Sequence, residues 1–214
     1  MNEPLRSLTA IAAPLDRDNV DTDLIWPARP GVSLRRGEQA SNAFARLRFD
    51  EEGAERPDFI LNRPPWGEAK ILVSGPNFGC GSSRELAVWA LHEWGIRCVI
   101  APSFGDIFEA NACLNGLLPV RLPEAEVRTL MEIVSDPARA LLTVDLETKR
   151  VSGDGFEAAF AIDDYRRECL LSGLDAIAAT TRREAEIAAF AARYDAAFPW
   201  ARPHPLRDSS NVPG

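Results

Sequence analysis

The sequence predicts an α/β protein in which helices flank a mixed, partly parallel sheet and further helices follow at the C-terminus. Three patterns indicate this class. Short apolar runs alternate with helical periodicity between residues 70 and 121, three short strand-like segments follow between 141 and 162, and an Ala-rich helical pattern comes last. A length of 214 residues and a hydrophobic content of 46% allow one sizeable domain with its own core.

The first half of the chain has the alternation of strands and helices that gives parallel crossovers. A first strand is predicted from Ser7 to Ala13, and Pro14 is expected to end it. Gly95 and Gly116 are expected to stop two of the helices. The other predicted strands are residues 70–74, 96–101 and 117–120, and the predicted helices are residues 85–94, 103–115 and one that starts at Pro123.

The second half is predicted to add antiparallel strands and then helices. The strands are residues 141–146, 150–152 and 156–162, and the helices are residues 163–171 and 174–197. We expect a single domain over residues 1–198. The tail over residues 199–214 is rich in proline and polar residues, so we expect it to be disordered.

Residues 30–57 show no sustained periodicity, and arginines alternate there with acidic residues. We predict a mobile loop with one short helix around residues 41–47. Loops of this length in compact domains often act as functional lids.

Charge and composition exclude several classes of function. The formal net charge is -8, so no general basic field attracts nucleic acid. No segment approaches the roughly 20 apolar residues of a membrane helix, and the N-terminus has no targeting pattern. We therefore expect a cytoplasmic protein that binds neither nucleic acid nor membrane.

The cysteines and histidines do not form a metal-binding pattern. The two histidines are His92 and His204, and the second lies in the tail. The four cysteines have no CxxC spacing, so we expect neither a disulfide framework nor a zinc or iron–sulfur site in this chain. They are Cys80, Cys98, Cys113 and Cys169.

One stretch, residues 77–85, combines features of an anion-binding site. Its sequence is Asn-Phe-Gly-Cys-Gly-Ser-Ser-Arg-Glu, and it lies between a buried strand and a helix. Glycines let a ligand approach the backbone, a helix start offers unpaired N–H groups, and Arg84 adds a fork of donors. The alternative is an ordinary helix start, with Ser82 as the N-cap and Glu85 as its capping-box partner.

A second stretch, residues 15–23, contains four aspartates in nine positions. A solvated polar turn is one interpretation, because Asp, Asn and Thr bond their own backbone in turns. A calcium loop is another, but the spacing lacks the glycine and the closing glutamate of an EF-hand.

Taken together, residues 19–23 (Asn-Val-Asp-Thr-Asp) and 77–85 resemble the small subunits of 3-isopropylmalate dehydratase, which form the detached swivelling domain of the aconitase superfamily. The matching segments appear in family order and cover roughly residues 7–195. The further matches are residues 100–104, 115–119 and 169–175.

This resemblance implies a swivelling β/β/α domain and an enzyme divided between two chains. The large subunit of the family carries a [4Fe–4S] cluster on its cysteines, so this chain is expected to bind no cofactor itself. The partners are then that large subunit, in a heterodimer or a larger assembly, and a small dicarboxylate. The implied reaction is a hydro-lyase reaction of leucine biosynthesis, which moves a hydroxyl group between adjacent carbons.

The resemblance also assigns roles to individual residues. Ser82 matches the family's base, acting as an alkoxide, and Asp23 matches its catalytic aspartate. Arg84 and Ser83 are expected to hold a substrate carboxylate, with Arg84 also counted as catalytic. Substrate recognition is expected from Arg29 and Arg35.

Several positions depart from the family pattern, and alternatives stay open. Leu86 stands where a histidine is common and Val88 where a proline is common. These residues either pack in the core or indicate a related hydratase acting on citraconate, dimethylmaleate or a homoaconitate-like acid. A non-catalytic module that binds small anions is a further alternative. Cys80 is expected to be structural, because a small residue is needed between two glycines.

Overall fold

The computed structural model describes residues 2–29 and 31–201, in two compact units, Met1–Asp175 and Ala176–Gly214. The predicted domain boundary at residue 198 therefore stays a prediction. Most of the tail for which we predict disorder, residues 202–214, lies outside the described residues. No helix in the described ranges is long and apolar enough to cross a bilayer.

Within residues 2–29 and 31–175, the first unit contains seven strands and six α-helices. The strands are β1 (Ser7–Leu15), β2 (Ile71–Ser74), β3 (Cys98–Ala101), β4 (Leu118–Arg121), β5 (Leu141–Asp145), β6 (Arg150–Gly153) and β7 (Phe156–Ala159). The helices are α1 (Thr22–Ile25), α2 (Ala45–Arg48), α3 (Glu85–Glu93), α4 (Asp106–Leu114), α5 (Glu124–Val134) and α6 (Asp164–Ser172).

The seven strands form one sheet in the order β4-β3-β2-β1-β5-β6-β7. Strands β1 to β4 are parallel, and β5 to β7 add antiparallel pairs, which confirms the predicted α/β class with a mixed sheet. β1 joins the two halves. Its residues 7–11 pair with β5, and its residues 12–15 pair with β2.

The prediction that Pro14 ends the first strand is wrong, because β1 continues to Leu15. The N–H of Ala12 points toward the β5 side, where it bonds Ala140 O at 2.7 Å. A hydrogen at Pro14 N would point to the same side, beyond the last registered pair, Ile11 with Leu141. The missing donor of Pro14 therefore removes no bond from the sheet.

Both faces of the parallel half of the sheet are covered, as is usual for parallel strands. Along β2 and β3 the side chains alternate between two core clusters. Leu72 and Val99 face the cluster that includes α3 and Phe108 of α4. Ile71 and Cys98 face the cluster that includes α5. This packing explains why the strands are continuous apolar runs in the sequence.

Residues 31–57 contain more structure than we predict. A 3-10 turn at Ala40–Asn42 precedes α2, and the intervening Phe44 is fully buried against Phe59 and Trp94. The polar side chains of Gln39 and Asn42 are buried too. The centre of the predicted loop is therefore anchored in the core, and the mobility that we predict for the region stays a prediction.

The second unit departs from the single helix predicted over residues 174–197. It contains α7 (Ala176–Thr181) and α8 (Glu184–Ala197), with a turn at residues 182–183, and a 3-10 turn at Pro199–Ala201. Thr181 Oγ1 donates to Ile177 O at 2.9 Å, a side-chain bond that competes with regular helix geometry. Two consecutive threonines thus give the helix a local reason to end.

The buried position of Phe44 leads to a stability prediction. Phe44→Ala should lower the free energy of unfolding by about 3–5 kcal/mol, because it leaves a cavity under the 31–57 segment. Leu34→Ala is the matched control, since Leu34 lies in the same segment and is 66% exposed; its effect should stay within about 0.5 kcal/mol. Urea unfolding followed by tryptophan fluorescence measures both, and equal small effects would contradict the anchoring.

Candidate functional site

The two polar motifs identified in the sequence lie next to each other at one edge of the sheet. Residues 16–23 follow the end of β1, and residues 75–84 follow the end of β2. These strands are parallel neighbours, with Leu15 paired to Ser74 at their last position. Ligands in α/β proteins commonly bind at the carboxyl ends of parallel strands, so this edge is a suitable place for a site.

Backbone contacts join the two segments along their length. They are N–H···O bonds from Asn19 to Pro76 (2.9 Å), from Gly79 to Val20 (2.7 Å) and from Thr22 to Cys80 (2.9 Å). The segments therefore extend the pairing of β1 with β2 as an irregular ribbon, and residues far apart in sequence are held in a fixed relation.

Several residues of this ribbon have the left-handed backbone conformation, which few residue types adopt. Asn19 and Asn77 have φ of +53° and +61°, and Asn77 Nδ2 donates to Asn19 Oδ1 at 2.8 Å. Asparagine tolerates left-handed backbone better than most residues. Gly79 has φ of +73°, and a Cβ there would overlap the ring of Phe108, so the position needs glycine.

The side-chain hydroxyl of Thr22 hydrogen-bonds to the backbone of Ser82. The Thr22 hydroxyl donates to Ser82 O at 3.1 Å and accepts from Ser82 N at 3.2 Å. The hydroxyl oxygens of the two residues are 3.2 Å apart, and either can be the donor. Thr22 is buried and Ser82 is exposed, so the contact ties an exposed serine to a buried side chain. No role is predicted for Thr22 from the sequence, although its hydroxyl lies directly before the matched Asp23.

The helix after the motif begins later than Ser82. Arg84 is the N-cap of α3, without a side-chain cap bond, so Ser82 lies two residues before the cap. The capping-box alternative is therefore wrong: Glu85 Oε1 accepts from Asn115 Nδ2 at 2.8 Å instead. Within the described residues, the hydrogen-bond partner of the Ser82 hydroxyl is Thr22 Oγ1.

Arg84 and Asp23 form an ion pair between the two motifs. The pair joins Arg84 Nη1 to Asp23 Oδ1, and the side chains are 35% and 50% exposed. Asp23 lies in the first turn of α1, where Asp21 is the N-cap and accepts from Leu24 N at 2.6 Å. Exposed ion pairs are typically worth about 1 kcal/mol or less, so a ligand carboxylate can compete for Arg84 at low cost.

The structure does not bring the other predicted binding residues into hydrogen-bonded contact with this group. Ser83 is exposed, and within the described residues its side chain makes no hydrogen bond. Arg29 Nη2 donates to Asn42 Oδ1 at 2.6 Å, and Arg29 lines an open cleft of about 740 Å³ beside the acidic turn 50–52. Arg35 lies on the exposed segment after Gly31.

The two departures from the family pattern both pack against the core. Leu86 is half-buried against the cluster that contains α3, and Val88 is fully buried in it. The side chain at position 86 therefore has a packing role, which is the first of the two interpretations given above.

None of the cysteines has the surroundings of a metal ligand or a nucleophile. All four are free thiols, and no group of three or more His, Cys, Asp or Glu within the described residues is arranged to hold a metal ion. Burial and the Asp21 carboxylate raise the pKa of the Cys80 thiol. Burial also raises the pKa of Cys98, and it raises that of Cys113 to about 12. The described residues thus do not fit an iron–sulfur cluster.

Comparison with known proteins identifies the family. Residues 2–125 match the family model of the aconitase C-terminal domain. Two curated relatives are named 3-isopropylmalate dehydratase small subunit. The one from Dinoroseobacter shibae is 49% identical over 92% of this chain and 99% of its own length, and the one from Rhodospirillum centenum is 50% identical over 93% and 98%.

A solved structure agrees with this result. The crystal structure of 3-isopropylmalate dehydratase from Methanocaldococcus jannaschii has a TM-score of 0.61 and 26% identity, with 84% of this chain and 97% of that chain covered. The chain therefore belongs to the aconitase C-terminal domain family, in the branch of the 3-isopropylmalate dehydratase small subunits. The resemblance drawn from the two sequence motifs is confirmed.

The environment of Cys80 leads to a prediction about its reactivity. Because its pKa is raised, little of the thiol is thiolate at pH 7, and iodoacetamide should modify Cys80 more slowly than glutathione at the same pH. The rate of modification should rise as the pH increases through and above the ordinary pKa of a cysteine thiol. Mass spectrometry of the labelled chain measures the rate, with the Cys80→Ala chain as the control. Modification faster than that of glutathione would contradict a structural Cys80.

Proposed function

We propose that this chain is the small subunit of a two-chain hydro-lyase that interconverts 2-isopropylmalate and 3-isopropylmalate in leucine biosynthesis. The observation that carries the proposal is a pair of contacts between motifs about 60 residues apart, at the carboxyl ends of β1 and β2: Arg84 pairs with Asp23, and Ser82 is bonded to Thr22, the residue before Asp23. The curated names of the relatives, which this chain covers almost completely, support the same activity.

The reaction removes a proton from a carbon next to a carboxylate, which needs a base and positive charge on that carboxylate. In our proposal the proton moves from this carbon to Ser82 Oγ, which acts as an alkoxide. The Thr22 hydroxyl, 3.2 Å away, has one proton, which can turn from Ser82 O to Ser82 Oγ when Oγ carries negative charge. Thr22 is thus a positioning residue that also moderates the charge on the base.

Arg84 supplies the positive charge. Its guanidinium has five N–H donors, and the pair with Asp23 uses Nη1. The remaining donors can bind a substrate carboxylate as a fork. In this proposal Asp23 has two roles, because it orients Arg84 in the free chain and lies beside the leaving hydroxyl once substrate is bound.

The other binding residues surround this centre in the proposal. Ser83 offers an exposed hydroxyl directly after the base, and Arg29 and Arg35 recognise the remainder of the dicarboxylate. Arg35 and its neighbour Arg36 differ in availability. Arg36 is held by Asn2 Oδ1 at 3.2 Å and lies over the Trp89 ring, with 5.6 Å from its Cζ to the ring centroid. The Arg35 side chain makes no hydrogen bond or ion pair with any other described residue.

The proposal requires a large subunit. Ser82, Ser83 and part of Arg84 are exposed in this chain, and charge chemistry of this kind is more effective where water is excluded. The iron–sulfur cluster expected on that subunit supplies a Lewis acid for the substrate hydroxyl. The complex is at least a heterodimer, and we place it in the cytoplasm.

The first prediction of the proposal concerns Ser82. In the complex reconstituted anaerobically, Ser82→Ala should lower kcat by at least about 10²–10⁴-fold, the usual contribution of a positioned base. Ser135→Ala is the matched control, because Ser135 is also exposed and its hydroxyl makes one bond, to Met131 O at 2.6 Å; its kcat should not change. Unfolding temperature and subunit association should be unaltered in both variants.

The same assay compares substrates. Near-normal turnover by Ser82→Ala would eliminate Ser82 as the base. Faster turnover of citraconate or dimethylmaleate than of isopropylmalate by the wild-type complex would favour a related hydratase. Dicarboxylate binding without any turnover would favour the anion-binding module.

A second prediction uses the difference between the two neighbouring arginines. Arg35→Ala should raise the KM for isopropylmalate about tenfold or more, since a hydrogen bond to a charged group is worth about 1.5–3 kcal/mol. Arg36→Ala removes the same charge from the same segment but should change KM by less than about threefold. Steady-state kinetics of the reconstituted complexes measures both, and equal effects would show that Arg35 has no specific contact.

A further inference from the structure

The segment that presents Arg35 is held by a carboxylate on a different element. We call residues 32–39 the arginine segment. Glu93, the last residue of α3, accepts from Gly37 N with Oε1 at 2.7 Å and from Gln39 N with Oε2 at 2.6 Å. The two oxygens of the carboxylate therefore accept from backbone N–H groups two residues apart, and hydrogen bonds to an ionised acceptor are the stronger kind.

The side chain of Gln39 joins the end of the segment to its beginning by hydrogen bonds. Its side chain is fully buried, and its Nε2 donates to the carbonyls of Ser33, at 3.1 Å, and Arg35. Its Oε1 accepts from Trp26 Nε1 at 2.8 Å. Trp26 is the C-cap of α1, the helix that carries Asp23. The amide of Gln39 therefore links the arginine segment to the element that carries one of the proposed catalytic residues.

The result is a fixed backbone with a free side chain. Arg35 N donates to Ser33 Oγ at 3.1 Å, and Arg35 O accepts from Gln39, so both backbone polar groups of Arg35 are held. Its guanidinium remains exposed and has no bond to any other described residue. A side chain that is held at its backbone and free at its tip is suited to meet a ligand.

Apolar packing contributes little to this part of the segment. Leu34 is 66% exposed, and Val32, which is half-buried, is the only apolar residue of the segment that packs on the core in the described part of the chain. Hydrogen bonds therefore determine the conformation of the segment. Both oxygens of Glu93 and the side-chain amide of Gln39 have partners, which favours a single conformation.

We infer that Glu93 is a positioning residue of the enzyme, which fixes the arginine segment so that Arg35 meets the substrate. This inference rests on the proposed function, because it needs Arg35 to bind substrate. Glu93 touches neither substrate nor the reacting atoms. It acts only through the backbone of residues 37–39.

The first test measures the contact itself in the full chain, without any activity. Glu93→Ala should increase the hydrogen exchange rates of the Gly37 and Gln39 amides about tenfold or more, as read by NMR. Glu93→Asp keeps the charge but is one methylene shorter, so it should behave like Glu93→Ala. Glu93→Gln keeps one acceptor oxygen and should give intermediate rates. Glu132→Ala, which removes an exposed glutamate near the end of α5, is the control and should leave both amides unchanged.

The second test measures the consequence in the reconstituted complex. Glu93→Ala should raise the KM for isopropylmalate about tenfold, because displacing a positioned group by about 1 Å costs up to about 10²-fold. The kcat should stay within about twofold, subunit association should not change, and Glu93→Gln should restore part of the KM. Glu132→Ala should match the wild type.

Three outcomes would overturn the inference, and a fourth would reject the proposed function on which it rests. Unchanged amide exchange would mean that Glu93 does not hold the segment. Faster exchange with an unchanged KM would mean that the segment does not present a substrate-binding arginine. Weaker subunit association with an unchanged KM would assign the segment to the subunit interface. A wild-type complex without turnover would reject the proposed function instead, while the exchange result would still stand.

Discussion

The parallel pairing of β1 with β2 is the constraint on which the site depends. The pairing ends with Leu15 opposite Ser74, so the two following segments leave the sheet side by side and bond to each other through their backbones. A slip of one residue would turn every buried side chain of β2 to the opposite face. Because both faces are packed, the register is fixed, and the positions of Asp23 and Ser82 follow from it.

Helix α3 transmits the same constraint to the rest of the site. Arg84 directly precedes the first turn of α3, and the apolar face of α3 packs on the sheet. Glu93, the last residue of α3, holds the arginine segment. A short rigid helix thus carries the proposed carboxylate-binding group at one end and the support for a second arginine at the other. Residues that the proposed mechanism needs together are therefore attached to one packed element, which limits their relative motion.

The sequence was informative wherever a local pattern determines structure. Apolar runs between turn residues predicted the strands, and helical periodicity with glycine stops predicted α3 and α4 within a few residues. The wrong or incomplete predictions concern residues whose structure depends on contacts between distant parts of the sequence. Pro14 is tolerated because the strand on its N–H side has already ended, and Phe44 is buried in a segment whose composition suggested a surface loop.

The same division applies to the site. Motif resemblance indicates Ser82, Asp23 and Arg84; the fold pairs Arg84 with Asp23 and bonds Ser82 to Thr22, the residue before Asp23. Thr22 and Glu93 were not predicted to matter, because each acts on backbone atoms that lie about 60 residues away in the sequence. Partners of that kind depend on strand register and helix packing, which composition and spacing do not specify.

The most direct test of the account is a structure of this chain in complex with its large subunit and a bound substrate. The account predicts that Ser82 Oγ lies about 3–3.5 Å from the carbon that loses its proton, with Arg84 in contact with a substrate carboxylate. A complex in which Ser82 and Asp23 face away from the large subunit, with the substrate bound elsewhere, would contradict it.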